Sequence, residues 1–281
     1  MQTAMAALLK TTADMFAAGG IDTARLDAEI LLAHVLDCTR LELSAHSKQF
    51  TSSELEKYSA MTARRAKGEP VAYITGIQPF WNHDFLVNAQ TLIPRQDTET
   101  LVEIALKQLP YAGRVLDLGT GNGCILLSIL QERPAFSGMG LDISSEALAV
   151  ARKNAGNMGL ENRVTFAESN WFSALGASTE PFNAIVANPP YIASPDIEIV
   201  MPGVRDFEPM LALDGGPDGL APYRVIASQA PKFLVSGGLL AVEVGVLQSN
   251  DVALMFEESG MKHVQITRDL PGVERVVSGK K

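Results

Sequence analysis

The sequence contains little cysteine: Cys38 and Cys124 are the only two among its 281 residues. Two cysteines so far apart exclude a disulfide framework and a multi-cysteine metal site. No run of residues approaches the roughly 18 uninterrupted apolar positions that a membrane-spanning helix needs. The N-terminal stretch carries Lys10 and Asp14 in a helical pattern, without the apolar core and cleavage site of a signal peptide. We therefore expect a cytoplasmic protein without a metal centre.

Basic residues are in the minority. Lys and Arg number 23 against 32 Asp and Glu, which gives a formal net charge of −9. Nucleic-acid affinity depends on Lys and Arg meeting phosphates, so this balance argues against a broad polyanion-binding surface. It favours a protein or a small molecule as the partner.

The chain divides into two patterns. Residues 1–75 have helical periodicity and predict a small helical bundle, including a helix over Thr51 to Lys67 that begins near Ser52 or Ser53. The aromatic and β-branched residues of "FWNHDFLV" predict a hairpin, which makes residues 76–92 a β-hairpin linker.

Over residues 93–281, helices alternate with short apolar strands. Asp97 is expected to cap a helix through Leu109, and a terminal hairpin is predicted around Pro271 and Gly272. Five further strands are predicted at "RVLDL", "GMGLD", "RVTFAE", "FNAIVA" and "GLLAVEV". This alternation is typical of a parallel sheet covered by helices on both faces. The stretch Met201 to Tyr223 has little periodicity, and loops of that length tend to be functional or mobile.

A glycine-rich turn, "VLDLGTGNGCI", joins the first of these strands to a helix. Gly119, Gly121 and Gly123 suit a tight turn, and a tight turn by itself would explain the three glycines. The phosphate-binding patterns GxxxxGK[ST] and GxGxxG do not fit, because Cys124 stands where the third glycine of the latter belongs. With Asp117 just before it, the turn suits a ligand with a cationic amino group and an adenosine better than a pyrophosphate.

A second acid follows the next strand. Asp142 stands nineteen residues after Gly123, close to the spacing of about 20 at which an acid accepts ribose hydroxyls in Rossmann-like sheets. Asp142 equally suits a cap for the next helix. The joint pattern of strand, acidic GxGxG, strand and acid resembles the S-adenosylmethionine-binding half of class I methyltransferases.

The stretch "VANPPYIA", residues 186–193, ends the fourth strand with Asn188 and two prolines. Prolines do end strands, but ligands of open α/β sheets bind at such strand ends, beside the glycine turn. The Asn188 side-chain oxygen and the Pro189 carbonyl can accept the hydrogens of a planar NH2 group, and Tyr191 can cover that group with its ring. The prolines fix the local backbone. Methyl transfer to a nitrogen held in this way depends on positioning, and no general base is required.

These motifs together resemble the HemK/PrmC family of N5-glutamine methyltransferases, which modify the glutamine of the Gly-Gly-Gln motif in peptide chain release factors. The shared stretches are "GEPVAYITG" (68–76), "LIPRQDTE" (92–99), "DLGTGNG" (117–123), "NWF" (170–172), "NPPYI" (188–192), "FEPMLAL" (207–213), "GGPDGL" (215–220) and "EVG" (243–245). The resemblance implies a Rossmann-like class I fold, with a mixed seven-stranded sheet, a C-terminal antiparallel hairpin and an N-terminal helical bundle that docks the substrate.

The family likeness also implies roles for individual residues. Contacts to the cofactor, S-adenosyl-L-methionine, are expected from Asp117, Leu118, Gly119, Thr120, Gly121, Asp142, Trp171 and Asn188. The substrate glutamine is expected to be held by Asn188, Pro189, Pro190 and Tyr191, with Asn188, Pro189 and Tyr191 as the catalytic residues. Trp171 also suits an ordinary core position. Two positions depart from the family pattern: Gln96 stands where Pro is usual, and Asn170 where Asp is usual.

Three alternatives compete with release-factor methylation. A related group methylates a glutamine of a large-subunit ribosomal protein, and DNA or RNA amino-methyltransferases use similar NPPY motifs. The latter need a phosphate-binding surface, whereas residues 1–85 carry eight basic and ten acidic residues. The third alternative is a non-catalytic cofactor-binding scaffold. We expect a release-factor methyltransferase that acts as a monomer.

Overall fold

The computed structural model describes residues 2–43 and 49–281. Residue 1 and residues 44–48, which belong to the predicted helical bundle, lie outside the described residues. The helices are α1 (Gln2–Ala18), α2 (Ala24–Val35), α3 (Arg40–Leu43), α4 (Ser52–Arg65), α5 (Val71–Thr75), α6 (Glu99–Gln108), α7 (Cys124–Glu132), α8 (Ser145–Asn157), α9 (Pro202–Arg205), α10 (Ala221–Phe233) and α11 (Ser249–Glu258). The strands are β1 (Ile77–Phe80), β2 (His83–Leu86), β3 (Gly113–Leu118), β4 (Phe136–Asp142), β5 (Val164–Glu168), β6 (Phe182–Ala187), β7 (Leu234–Glu243), β8 (Lys262–Arg268) and β9 (Glu274–Lys280).

The chain forms two compact units. The first comprises Met1–Ile77 and Met201–Phe207, and the second comprises Gln78–Val200 and Glu208–Lys281. Within the ranges that the structure describes, none of the helices combines the length and the apolar character that crossing a bilayer requires.

The first unit is helical and has its own apolar core. Phe16, Leu31 and Leu32 are almost fully buried at its centre, as expected for amphipathic helices that pack together. Helix α4 begins with a capping box: the Thr51 hydroxyl accepts the Glu54 N–H at 3.2 Å, and the Glu54 carboxylate accepts the Thr51 N–H at 2.7 Å. The cap is therefore Thr51 rather than Ser52 or Ser53.

The second unit is built on a mixed seven-stranded sheet. Its strand order is β5-β4-β3-β6-β7-β9-β8. Strands β3 to β7 run parallel, and β9 lies antiparallel between β7 and β8. The predicted fold, including the C-terminal antiparallel hairpin, is confirmed.

The central strands are buried on both faces. Alternate residues of β3 and β6 enter opposite cores: Val115 and Val186 join the cluster with α6 and α7, while Leu116 and Ile185 join the cluster with α10 and α11. Burial on both faces explains the nearly continuous apolar runs that identified these strands in the sequence.

The predicted helix cap at Asp97 is wrong, and the alternative of a cap at Asp142 does not apply. Asp97 lies in a short 3-10 turn, Gln96–Thr98, before α6, and its carboxylate accepts a hydrogen bond from the Arg275 guanidinium at 3.2 Å. Asp142 does not cap α8, because Ser144 occupies the N-cap position and its hydroxyl accepts the Ala147 N–H at 3.0 Å. The Asp97 carboxylate therefore bonds to β9, whereas the Asp142 carboxylate accepts the N–H of Ser144 just before α8 and, within the described residues, holds no N–H of the first helical turn.

Candidate functional site

A cavity opens at the carboxyl ends of the central parallel strands. Strand order reverses between β3 and β6, where Leu118 pairs with Ala187, and this is the position at which open α/β sheets bind ligands. The cavity has a volume of about 290 Å³, at the lower end of the range for small-molecule sites. Its lining residues are Gln90, Thr91, Leu92, Pro94, Arg95, Thr98, Gly119, Thr120, Gly121, Asn122, Cys124, Ile125, Asp142, Ile143, Ser144, Ala147, Ser169, Asn170, Trp171, Asn188, Pro190, Pro209, Leu211 and Ala212.

The glycine turn after β3 forms one wall. Gly119, Gly121 and Gly123 adopt φ angles of +67°, +56° and +84°. Residues other than glycine rarely adopt positive φ angles of this kind. An added Cβ at Gly119 or Gly121 would meet nothing within 4 Å. The backbone conformation, rather than lack of space, therefore requires glycine there.

Asp142, at the end of β4, holds the turn in place. One oxygen of its carboxylate accepts the Gly121 N–H at 2.8 Å, and the other accepts the Ser144 N–H at 2.9 Å. Burial raises the pKa of Asp142, while these backbone donors oppose the rise. The carboxylate lines the cavity and keeps lone pairs for the hydroxyls of a ligand.

Asp117 lies beneath the turn and is fully buried. The Thr120 hydroxyl donates to one of its oxygens at 2.6 Å, and the other oxygen, Oδ1, has no hydrogen-bond partner among the described residues. Burial raises the pKa of Asp117 to about 7, and the nearby Asp142 charge adds to the rise. Asp117 and Leu118 are not among the lining residues, so their predicted contact with a cofactor stays a prediction.

Trp171 follows β5 in an unusual backbone conformation, with φ at +53°. The turn around it is fixed by Ser169, whose hydroxyl donates to the Trp171 carbonyl at 2.7 Å and whose N–H donates to the Asp142 carbonyl at 2.8 Å. The indole lines the cavity and also packs against the apolar core. Asn170 is exposed and lines the same wall.

The Asn-Pro-Pro-Tyr stretch begins directly after β6. Asn188 and Pro190 line the cavity, while Pro189 is buried. Tyr191 is not among the lining residues; it packs against the core, and its carbonyl accepts a hydrogen bond from the Gln248 side chain at 2.9 Å. Burial raises the pKa of Tyr191 to about 12. The predicted stacking of its ring on a substrate stays a prediction.

Of the two polar groups of the Asn188 side-chain amide, the NH2 group has a hydrogen-bond partner in the described residues and the oxygen has none. Its NH2 group donates to the Thr98 hydroxyl at 3.3 Å, whereas Oδ1 is buried and has no hydrogen-bond partner in the described part of the chain. A buried acceptor without a partner is costly. At the wall of a cavity, it marks a place where a ligand donor can bind.

Two further segments, in which no site residue was predicted, reach the cavity. They are residues 90–95 and 209–212. The Arg95 guanidinium forms an ion pair with the buried Glu208, whose other oxygen accepts the Ile93 N–H at 3.1 Å. Both segments fall in stretches shared with the family, "LIPRQDTE" and "FEPMLAL", which was the available signal.

The residues at this edge fit a cofactor with a nucleoside and a cationic end. Backbone N–H groups of a glycine turn, the Asp142 carboxylate and an indole suit a nucleoside, and the negative charge of Asp117 below the turn suits a cation. An open sheet of this order, with an acidic glycine turn and Asn-Pro-Pro-Tyr after its fourth parallel strand, defines a class I methyltransferase. Such enzymes in general use S-adenosylmethionine.

Comparison with known proteins narrows the class. Residues 7–76 match the family described as PrmC N-terminal domain, and residues 96–204 match the methyltransferase small domain. The release factor glutamine methyltransferase of Rhodospirillum rubrum is 46% identical over 264 residues, covering 93% of this chain and 80% of that protein. The protein of the same name from Caulobacter vibrioides is 43% identical over 265 residues, covering 93% and 91%.

A solved methyltransferase structure from Pyrococcus furiosus shares the fold, with a TM-score of 0.55, 16% identity, and coverage of 79% of this chain and 98% of that one. The shared fold shows only the architecture, whereas the sequence relatives, at 46% and 43% identity, show the family. The chain belongs to the family of release factor glutamine methyltransferases.

Proposed function

We propose that this chain methylates the side-chain amide nitrogen, N5, of the glutamine in the Gly-Gly-Gln motif of peptide chain release factors. The observation that carries this proposal is the buried Oδ1 of Asn188 at the wall of the cavity, which has no hydrogen-bond partner among the residues that the structure describes. Family membership supports the choice of substrate. The proposed setting is the cytoplasm, with the chain acting as a monomer.

The cofactor side of the site is proposed to comprise the Gly119–Gly121 turn, Asp142 and Trp171. S-adenosylmethionine, when bound, supplies a methyl group on a positively charged sulfur. The turn would offer backbone N–H groups, the Asp142 carboxylate would accept ribose hydroxyls, and the Trp171 indole would contact the adenine. Asp117 would stabilise the cationic end through its charge.

The substrate side is proposed to comprise Asn188, Pro189, Pro190 and Tyr191. An amide nitrogen is a weak nucleophile because its lone pair is delocalised into the carbonyl. Asn188 Oδ1 and the Pro189 carbonyl would accept its two hydrogens and hold the nitrogen in one orientation. The chain's contribution to rate is then positioning, with the reacting atoms about 3–3.5 Å apart.

The substrate is tested by a side-by-side assay. Purified protein with radiolabelled S-adenosylmethionine is incubated separately with release factor, with the large-subunit ribosomal proteins and with duplex DNA. We expect label on release factor, at the glutamine of its Gly-Gly-Gln motif by peptide mass mapping. Label on DNA or on a ribosomal protein, with none on release factor, would overturn the proposal.

Asn188→Ala tests the acceptor. Because the substrate NH2 loses a fixed partner in the transition state, we expect kcat to fall about 100- to 1,000-fold, with cofactor affinity reduced but not lost. The matched control is Asn183→Ala on the same strand; its side-chain oxygen accepts the Arg114 N–H at 2.9 Å, and it is not among the cavity-lining residues. Near-wild-type turnover in Asn188→Ala would contradict the role.

We also propose that residues 1–75 form a substrate-docking domain, followed by the hairpin linker 76–92 and the methyltransferase domain 93–281. Removing residues 1–75 should raise KM for full-length release factor about tenfold or more, the effect of losing ~1.4 kcal/mol of docking energy. A short Gly-Gly-Gln peptide would contact the cavity and not residues 1–75, so its KM should change little. An unchanged KM for the full-length factor would show that docking lies elsewhere.

A further inference from the structure

Glu243 is a buried carboxyl to which neither the sequence motifs nor the proposed mechanism assigns a task. It ends β7 and is 1% exposed. Ala187 of β6 pairs with Val242 of β7, so Asn188 and Glu243 are the next residues of adjacent parallel strands at the cavity edge. One carboxyl oxygen, Oε2, is buried and has no hydrogen-bond partner within the described ranges. A carboxyl in such a place costs stability, which calls for a compensating role.

Two polar side chains that line the cavity face Glu243. Interaction with the Thr98 hydroxyl and the Asn188 amide favours the ionised form of its carboxyl. Among charged groups, Arg275 attracts it and Asp97 repels it. Titratable groups that also feel its charge are Tyr191, Tyr223 and Cys124. Burial is the largest effect and raises the pKa of Glu243 to about 7.

The hydrogens in this cluster determine which way the Asn188 amide points. An ionised carboxylate can only accept, so the Thr98 hydroxyl must donate its single hydrogen to Glu243. The hydroxyl oxygen then accepts from Asn188 Nδ2, at 3.3 Å. The NH2 end of the amide therefore faces Thr98 and Glu243, and Oδ1 is the end that has no partner in residues 2–43 and 49–281.

We propose that Glu243 is a positioning residue for methyl transfer: its ionised carboxylate, acting with the Thr98 hydroxyl, holds the Asn188 amide so that Oδ1 accepts from the substrate NH2. The inference rests on the proposed function, because it needs an NH2 group to be held at Asn188. A protonated Glu243 would instead donate a hydrogen. It would compete for Asn188 Oδ1 and remove the acceptor from the substrate.

The consequence is a dependence of turnover on pH that belongs to Glu243. In the wild type, kcat for release factor should rise with pH along an acid limb near pH 7. Glu243→Gln places an NH2 group beside Asn188, which favours the flipped amide. We expect kcat to fall about 10- to 100-fold, KM for S-adenosylmethionine to stay within about twofold, and the acid limb to disappear.

Asp269→Asn is the matched control for Glu243→Gln. Asp269 is also buried, at 7% exposure, and accepts from the Arg275 guanidinium at 3.2 Å, but within the described ranges no hydrogen bond joins it to Asn188. This variant should keep the acid limb and most of the turnover. A Glu243→Gln enzyme with wild-type kcat, or with the acid limb retained, would overturn the inference while leaving the proposed function intact. No transfer to release factor by the wild type would overturn both.

Thr98 supplies a second variant pair in case Glu243→Gln does not fold. Thr98→Val replaces the hydroxyl with a methyl group of similar size and should lower kcat about 10-fold or more, because Asn188 Nδ2 loses its acceptor. Thr98→Ser keeps the hydroxyl and should restore turnover. Equal kcat values for the Val and Ser variants would contradict the positioning role. Thermal unfolding of each variant shows whether it is folded.

Discussion

At the scale of single residues, the Asp142 carboxylate joins two backbone segments. Each of its oxygens accepts one N–H, from Gly121 at 2.8 Å and from Ser144 at 2.9 Å. The same carboxylate lines the cavity. The group proposed to bind the cofactor is therefore also the group that fixes the shape of the glycine turn.

Asp142→Asn is expected to weaken cofactor binding. An amide has one oxygen, so its NH2 end must face one of the two N–H groups, and the negative charge is lost as well. Hydrogen bonds to charged groups contribute about 1.5–3 kcal/mol, which corresponds to a rise in Kd of about 10- to 100-fold. Calorimetric titration with S-adenosylhomocysteine measures Kd for the wild type and for the variant.

The control for this prediction is Glu168→Gln. Glu168 pairs with Asp142 across the ladder between β4 and β5, is exposed, and is not among the cavity-lining residues. Its loss removes one negative charge from the neighbouring strand end and should leave Kd nearly unchanged. If Asp142→Asn binds as tightly as the wild type, the carboxylate has no part in cofactor binding.

Residues at strand ends could be located from the sequence because the topology of a parallel sheet gathers them at one edge. This explains why Gly119, Gly121, Asp142 and Asn188 lie together at the cavity. Glu243 also ends a predicted strand, but its role could not be predicted, because Thr98 and Glu243 belong to segments far apart in the chain.

At the scale of elements, the strands of the sheet were predictable from their apolar runs, since burial on both faces selects such sequences. The start of α4 was less well placed, although the signal was present: Thr51 and Glu54 have the spacing of a capping box. The start of α6 was misread because Asp97 bonds to Arg275 in β9, a contact that local sequence does not encode.

The stretch before α10 shows the limit of periodicity. Residues 194–212 form short turns of helix, Ser194–Ile199, Pro202–Arg205 and Met210–Ala212, each too short to carry an amphipathic pattern. What fixes part of this stretch is a contact, the Arg95–Glu208 ion pair. Periodicity therefore gave no sign that residues 209–212 reach the cavity, although they lie in the shared stretch "FEPMLAL".

At the scale of the whole molecule, Asp117 and Glu243 are buried carboxyl groups in a chain of net charge −9. Asp117 is the penultimate residue of β3, Glu243 ends β7, and β6 lies between these two strands. Burial raises the pKa of each carboxyl to about 7. Both lie at the edge where the cavity opens. The two buried carboxyl groups suit a ligand site but lower the stability of the fold, as is common at functional sites.

The sign of the resulting pH dependence follows from linkage. A carboxyl whose pKa is higher in the folded than in the unfolded chain binds a proton preferentially in the folded state. Its contribution to stability is complete below the unfolded pKa, near 4, and is lost as the pH rises through the folded pKa, about 7. Each pKa elevation of this size corresponds to about 3–4 kcal/mol over the full titration.

The double variant Asp117→Asn, Glu243→Gln should remove this dependence. Urea unfolding at several pH values between about 5 and 8 gives the free energy of unfolding of both proteins, and the difference cancels groups common to them. We expect the wild type to lose about 5 kcal/mol relative to the variant over this range. Replacing two exposed carboxylates, Glu161→Gln and Glu258→Gln, should leave that difference flat. A difference in free energy of unfolding that does not change with pH would contradict this prediction. It would mean that both carboxyls stay ionised in the folded chain, because favourable electrostatic interactions offset the cost of burial.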